Sequence, residues 1–127
     1  MVATARMIAG PAEGPPEAGA IDKDHLARMT LGEVSLQRQV LALFDRQADL
    51  LLPRIRAATP GVAAASAHIL KGSASGIGAF KVARAADAVE RAPSSKDPEA
   101  AMAAAVETLA VLLDEAKAEI ARLLQPG

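Results

Sequence analysis

Residues 33–58 read EVSLQRQVLALFDRQADLLLPRIRAA. Leu36, Val40, Leu43, Phe44, Leu51 and Ile55 recur at intervals of three, four or seven, with one drift of registry. That spacing gathers side chains on one face of an α-helix. The stretch is therefore a long amphipathic helix whose apolar side needs partners. Pro53 falls inside it and is expected to kink or restart it, because proline lacks the N–H that bonds four residues back and its ring crowds the preceding turn.

The partners lie on either side. TPG at 59–61 punctuates the chain, and a third helix follows from about Gly61 to Gly76, running into the glycines of GIG at 76–78, residues suited to a helix end. AFKVARAADAVERA at 79–92 forms a fourth helix, stopped by the loop PSSKDP at 93–98. The last helix runs from about Pro98 to Leu124, with Met102, Val106, Leu109, Leu113, Ile120 and Leu124 at helical spacing and a proline in its first turn. Upstream, IDKDHLARM at 21–29 makes a short helix with Asp22 or Asp24 near its start, where a carboxylate suits the unsatisfied amides and the dipole. Residues 1–19 are rich in Pro, Gly, Ala and Glu without periodicity and are expected to be a disordered N-terminal segment. Residues 20–127 are left as the folded domain. Four long helices with short connections favour antiparallel neighbours. The expected fold is all-α, an antiparallel up-and-down four-helix bundle with a short N-terminal cap helix.

Composition agrees. A chain of 127 residues supports one modest core, and its two phenylalanines and many alanines and leucines favour helix over strand. Fourteen Lys and Arg against 15 Asp and Glu leave no single-sign field to recruit nucleic acid or an anionic membrane. The absence of cysteine removes disulfides, thiolate catalysis and thiolate metal sites, and is compatible with a reducing cytoplasm. The first residues lack the apolar core of about 7 to 15 residues of a secretory signal. No run reaches the roughly 18 to 20 apolar residues of a membrane span. A soluble, cytoplasmic monomer is expected.

One histidine stands out. In SAHILKGSASGIGAF, residues 66–80, His68 is followed by Lys71 and Gly72 and then by small residues. At about 100° per residue, Val62, Ile69, Leu70 and Ile77 fall on an arc centred roughly 150° from His68. They are expected to face the core, so His68 points to solvent. Its own side of the helix holds Gly61, Ala64, Ala65, Lys71, Gly72 and Ser75, a low surface that another macromolecule can approach closely. Lys71, one turn on, can reach a dianion formed on the ring. Gly72 costs about 1 kcal/mol relative to alanine within a helix, and clearance beside the histidine accounts for it.

HILKGSASGIGA resembles the signature of histidine phosphotransfer domains, in which a His is followed at the third and fourth positions by Lys and Gly, then Ser, then a Gly-Ala closing the helix. The resemblance covers about a dozen residues in motif and roughly 21–124 in layout, and the family fold is a four-helix bundle. By this resemblance His68 accepts a phosphoryl group from an aspartyl phosphate on a receiver domain and passes it to another. Lys71 matches the charge-neutralising position, Gly72 the clearance position and Ser73 the small polar position. If the third and fourth helices form an antiparallel hairpin turning near Gly78, the residues level with His68 are 87–90. Family members place a polar side chain there, often Gln or Glu, on the imidazole nitrogen that is not phosphorylated, which selects Glu90. The docking surface is expected to comprise Ala64, Ala65, Gly72, Ser73 and Ser75, joined by Ile21, Leu26 and Phe80. The implied partners are response-regulator receiver domains, including that of a hybrid histidine kinase. Mg²⁺ is expected in the receiver, with no cofactor or metal held by this chain.

Other chemistries fit less well. GSASG at 72–76 has Ala74 where the nucleophile elbow G-x-S-x-G needs serine. GSASGIGAFK lacks the spacing of a phosphate-binding loop and follows a helix, so no ATP-dependent kinase activity is expected. His25 and His68 sit in separate helices without clustered carboxylates, which argues against zinc. Two alternatives to a relay intermediate stand: a helical adaptor that binds partners without chemistry, and the phosphorylatable domain of a chemotaxis-type kinase. The second ranks lower because the chain reads as a whole unit.

Overall fold

The computed structural model describes residues 19–126, and every regular element among them is helical. Apart from Gly19, the N-terminal segment 1–19 lies outside the described residues. Five α-helices follow: α1, Lys23–Met29; α2, Val34–Ala57; α3, Pro60–Ile77; α4, Phe80–Arg91; and α5, Pro98–Leu124. A 3₁₀ turn, Ala92–Ser94, occupies the start of the segment expected as a loop.

Local chemistry explains where these helices begin. Asp22 caps α1, its carboxylate accepting from the His25 N–H at 3.1 Å, and Asp97 caps α5, accepting from the Ala100 N–H at 3.3 Å. Each satisfies an amide with no partner inside its helix. Pro60 and Pro98 occupy first-turn positions, where the missing N–H costs nothing.

The end of α3 is set by Gly78, whose φ of 86° is left-handed. Its N–H and that of Ala79 donate back to Ser75 and Ala74, closing the helix as left-handed glycines do. Gly78 also meets α1. The Asp22 N–H donates to the Gly78 carbonyl at 2.9 Å, and a Cβ at Gly78 would fall 2.7 Å from the Asp22 carbonyl oxygen. His25 then sets its ring on Phe80, centroids 4.9 Å apart. These contacts seat α1 over the α3–α4 turn.

Helix α2 packs against α3 and α5, and α4 against α3 and α5. The core they enclose is built on Leu41, Phe44 and Ile55 of α2, Leu70 of α3, Val82 and Val89 of α4, and Leu109, Leu113 and Ile120 of α5. Lys117 on α5 ties α2 from outside, 2.6 Å from Asp45 and 2.7 Å from Asp49.

Three expectations are corrected here. Val62 and Ile69, assigned to the core, are 56% and 53% exposed. The inward face of α3 is carried by Ala63, Ser66, Ala67, Leu70, Ala74 and Ile77, an arc turned about 60° from the one drawn through the large residues alone. Alanines let neighbouring helix backbones come close, so small residues take most of the interface beside Leu70 and Ile77, and Val62 and Ile69 are left outside. Leu36 and Leu43 of α2 are likewise exposed, while Leu41 and Ala48 are buried. Finally, of the two outcomes expected at Pro53, the restart does not occur: α2 runs through it as one helix. Pro53 is exposed, so solvent can serve the carbonyl left without a donor, and Leu51 and Ile55 anchor the helix in the core on either side of it.

Candidate functional site

The rotated core arc still lies about 150° from His68, and the imidazole stands out of the surface with its side chain 66% exposed. Its Nδ1 lies 2.8 Å from Glu90 Oε2 on α4. Glu90 is half-buried, and its Oε1, shielded from water, faces the Lys71 Nζ at 2.8 Å. Lys71 also reaches Asp87 Oδ1 at 3.1 Å, and Asp87 Oδ2 lies 2.9 Å from Arg91 Nε. His68, Lys71, Asp87, Glu90 and Arg91 thus form one polar network across the α3–α4 seam, with Glu90 joining the histidine to the lysine.

The register of this seam follows from the turn. The pairs His68–Glu90 and Lys71–Asp87 each straddle Ala79 symmetrically in the chain. On each helix the two partners are three residues apart, so they rise together on one face.

The electrostatics follow from the geometry. The Lys71 ammonium, and after it the His68 ring, hold the Glu90 carboxyl below the usual carboxylate range against the opposing effect of desolvation. Glu90, and after it Asp87, raise Lys71 above an ordinary lysine. Both groups are kept charged. His68 Nε2 has no hydrogen-bond partner among the described residues, so the ring presents one engaged nitrogen and one free one.

Gly72 is exposed, and a Cβ there would meet nothing within 4 Å. Tight helix packing therefore does not explain the glycine, and the surface beside the ring is open. Ala65 is exposed, and Ala64 and Ser75 are half-buried on the same side. Ser73 is half-buried and lies about 140° round the helix from His68, away from the ring. Ile21 and Leu26, expected to join a docking patch, are 3% and 4% exposed. Both belong to the core, Leu26 on the inner side of α1 and Ile21 just ahead of it, beside the Asp22–Gly78 contact. Phe80 is half-buried under His25.

Sequence reasoning did not bring Arg91 or the double engagement of Lys71 into the site. The signal was present: the interval from His68 to Lys71 equals that from Asp87 to Glu90, and Arg91 lies one turn after Asp87. Among the described residues no group of three or more His, Cys, Asp or Glu side chains is placed to hold a metal ion, and no helix is long and apolar enough to cross a membrane. Comparison with protein-family models, curated proteins and solved structures finds no match to this chain.

Proposed function

We propose that this chain is a phosphorelay intermediate in which His68 accepts a phosphoryl group from an aspartyl phosphate on one receiver domain and hands it to another. The observation that carries this reading is the contrast between the two ring nitrogens: Nδ1 lies 2.8 Å from a carboxylate held charged by Lys71, while Nε2 is unpartnered among the described residues on an exposed ring. With Nδ1–H donating to Glu90, the lone pair of Nε2 is free for attack.

The step balances without a separate proton acceptor. Nε2 attacks phosphorus in line, the bond from phosphorus to the receiver's aspartate oxygen breaks, and the aspartate leaves as a carboxylate. The ring keeps its Nδ1 proton and becomes positively charged as the N–P bond forms. Glu90 lies against that charge, and Lys71 supplies a positive charge one turn from the reacting nitrogen. Transfer to the next receiver is the reverse. The rest is positioning, achieved when the partners dock. Mg²⁺ belongs to the receiver.

The same reading takes α2 to α5 as a four-helix bundle with antiparallel neighbours and α1 as its cap. The cycle of contacts α2–α3–α4–α5–α2 and the symmetric pairs about Ala79 support it. The open surface of Ala64, Ala65, Gly72 and Ser75 is the docking face for a receiver, through an interface of modest size suited to exchange of partners. The protein acts in the cytoplasm as a monomer.

The test is label transfer from phosphorylated receivers. The wild-type chain is expected to gain an acid-labile, alkali-stable label that is absent from His68→Gln. Label persisting in that variant, or mapping to His25, overturns the reading. Receiver binding without label transfer makes the chain an adaptor.

A further inference from the structure

Lys71 is engaged twice, and phosphoryl transfer at His68 explains only one of the engagements. Glu90 belongs to the ring, where it stays as Nδ1 keeps its proton. Asp87 touches neither nitrogen, yet it lies 3.1 Å from the lysine. The carboxylate that ties Lys71 down is the one bound at Nδ1, whereas the phosphoryl group forms on Nε2. Two of the three N–H donors of Lys71 face these acids, and drawing the ammonium towards phosphoryl oxygens on Nε2 pulls it against both contacts, so the weaker one yields first. Asp87 is the one it can leave, since that contact is the longer of the two and Arg91 remains 2.9 Å from its other oxygen. When Lys71 departs, Asp87 is still paired and no charge is stranded.

Building on the phosphorelay reading, we propose that Asp87 is a positioning residue that competes with the phosphoryl group for Lys71, with Arg91 as the cation that neutralises Asp87 once the lysine moves. A phosphoryl group carries about −1.5 to −2 charges and outbids a single carboxylate that already has a second cation. Asp87 therefore weakens the hold of Lys71 on the phosphoryl group and keeps that group transferable. Arg91 acts in the opposite sense, because it reduces the attraction of Asp87 for Lys71.

The opposed signs make the test specific. Label is equilibrated between a phosphorylated receiver and the full-length chain, as wild type and as Asp87→Asn, Arg91→Gln and Arg91→Lys. Asp87→Asn is expected to raise the ratio of labelled His68 to labelled receiver roughly two- to fivefold, the range for an exposed ion pair, and to slow spontaneous loss of the label. Arg91→Gln leaves Asp87 with Lys71 alone and is expected to lower the ratio by a similar factor. Arg91→Lys restores the wild-type ratio. The side chains of Asp87 and Arg91 are 37% and 75% exposed, so the variants are expected to keep the wild-type circular dichroism, and Asp87→Ser is a second variant expected to match Asp87→Asn. If Asp87→Asn and Arg91→Gln shift the ratio in the same direction, or leave it unchanged, the positioning role is overturned while the phosphorelay reading stands. A wild-type chain that takes up no label overturns both.

Discussion

Alanine substitutions at Leu70 and His68, two residues apart on α3, separate the core from the site. Leu70 is 0% exposed, and Leu70→Ala removes three buried carbons. At about 0.8 kcal/mol each these amount to about 2.4 kcal/mol of lost transfer free energy. A cavity contribution adds to this, because the adjoining core positions Ala67 and Ala74 on α3 have no side-chain length with which to fill the space. A total loss of about 3 to 4 kcal/mol is expected. His68→Ala removes a ring that is 66% exposed and leaves Glu90 still paired with Lys71, so no cavity forms and no buried charge is stranded. Its expected effect is within about 0.5 kcal/mol. The chain has neither Trp nor Tyr, so the assay is urea unfolding followed by far-ultraviolet circular dichroism. With a slope of about 1.5 kcal/mol/M, Leu70→Ala lowers the midpoint by about 2 M and His68→Ala leaves it nearly unmoved. Phosphotransfer is expected in the reverse order, lost in the histidine variant and retained by the folded fraction of the leucine variant. A loss above about 1 kcal/mol for His68→Ala, or below that for Leu70→Ala, would refute the placement of these two faces.

Gly72→Gln is expected to keep or slightly raise helix stability, by up to about 1 kcal/mol, while slowing label transfer; transfer at the wild-type rate would remove the clearance argument. Gly78→Ala meets both a left-handed φ and the Asp22 carbonyl 2.7 Å from its new Cβ, so it is expected to cost more than about 1 kcal/mol and to loosen α1, read by thermal melts and by proteolysis within 22–30. Stability also depends on pH through Glu90. Because the folded Glu90 is held below its usual value near 4.5, its stabilising contribution is present above the unfolded value and disappears as pH falls through the lowered folded one. Glu90→Gln is expected to unfold at lower urea than wild type near pH 7 and to converge with it as pH falls through the lowered folded value of Glu90; a gap that stays constant with pH would remove the Glu90 charge as its source.

Helix boundaries were legible because they rest on local chemistry. Asp97 and Pro98 start α5, Pro60 starts α3 and Gly78 ends it, through capping and dihedral preferences that act within a few residues. The outward direction of His68 was legible too, since the arc drawn through the large residues and the arc that is buried both lie about 150° from the ring. The buried arc itself was not. A wheel weighted by large apolar side chains chose Val62 and Ile69, but a helix flanked on two sides buries the face that lets its neighbours come closest. In this chain that face is mostly small, Ala63, Ser66, Ala67 and Ala74 beside Leu70 and Ile77, and only the positions of the neighbouring helices select it. The partners of Lys71 divide in the same way. Its distance from His68 along the helix is a property of sequence, whereas its clamping between Glu90 and Asp87 depends on the register of α3 against α4, which the close approach of α1 to Gly78 helps to hold and which no single helix encodes.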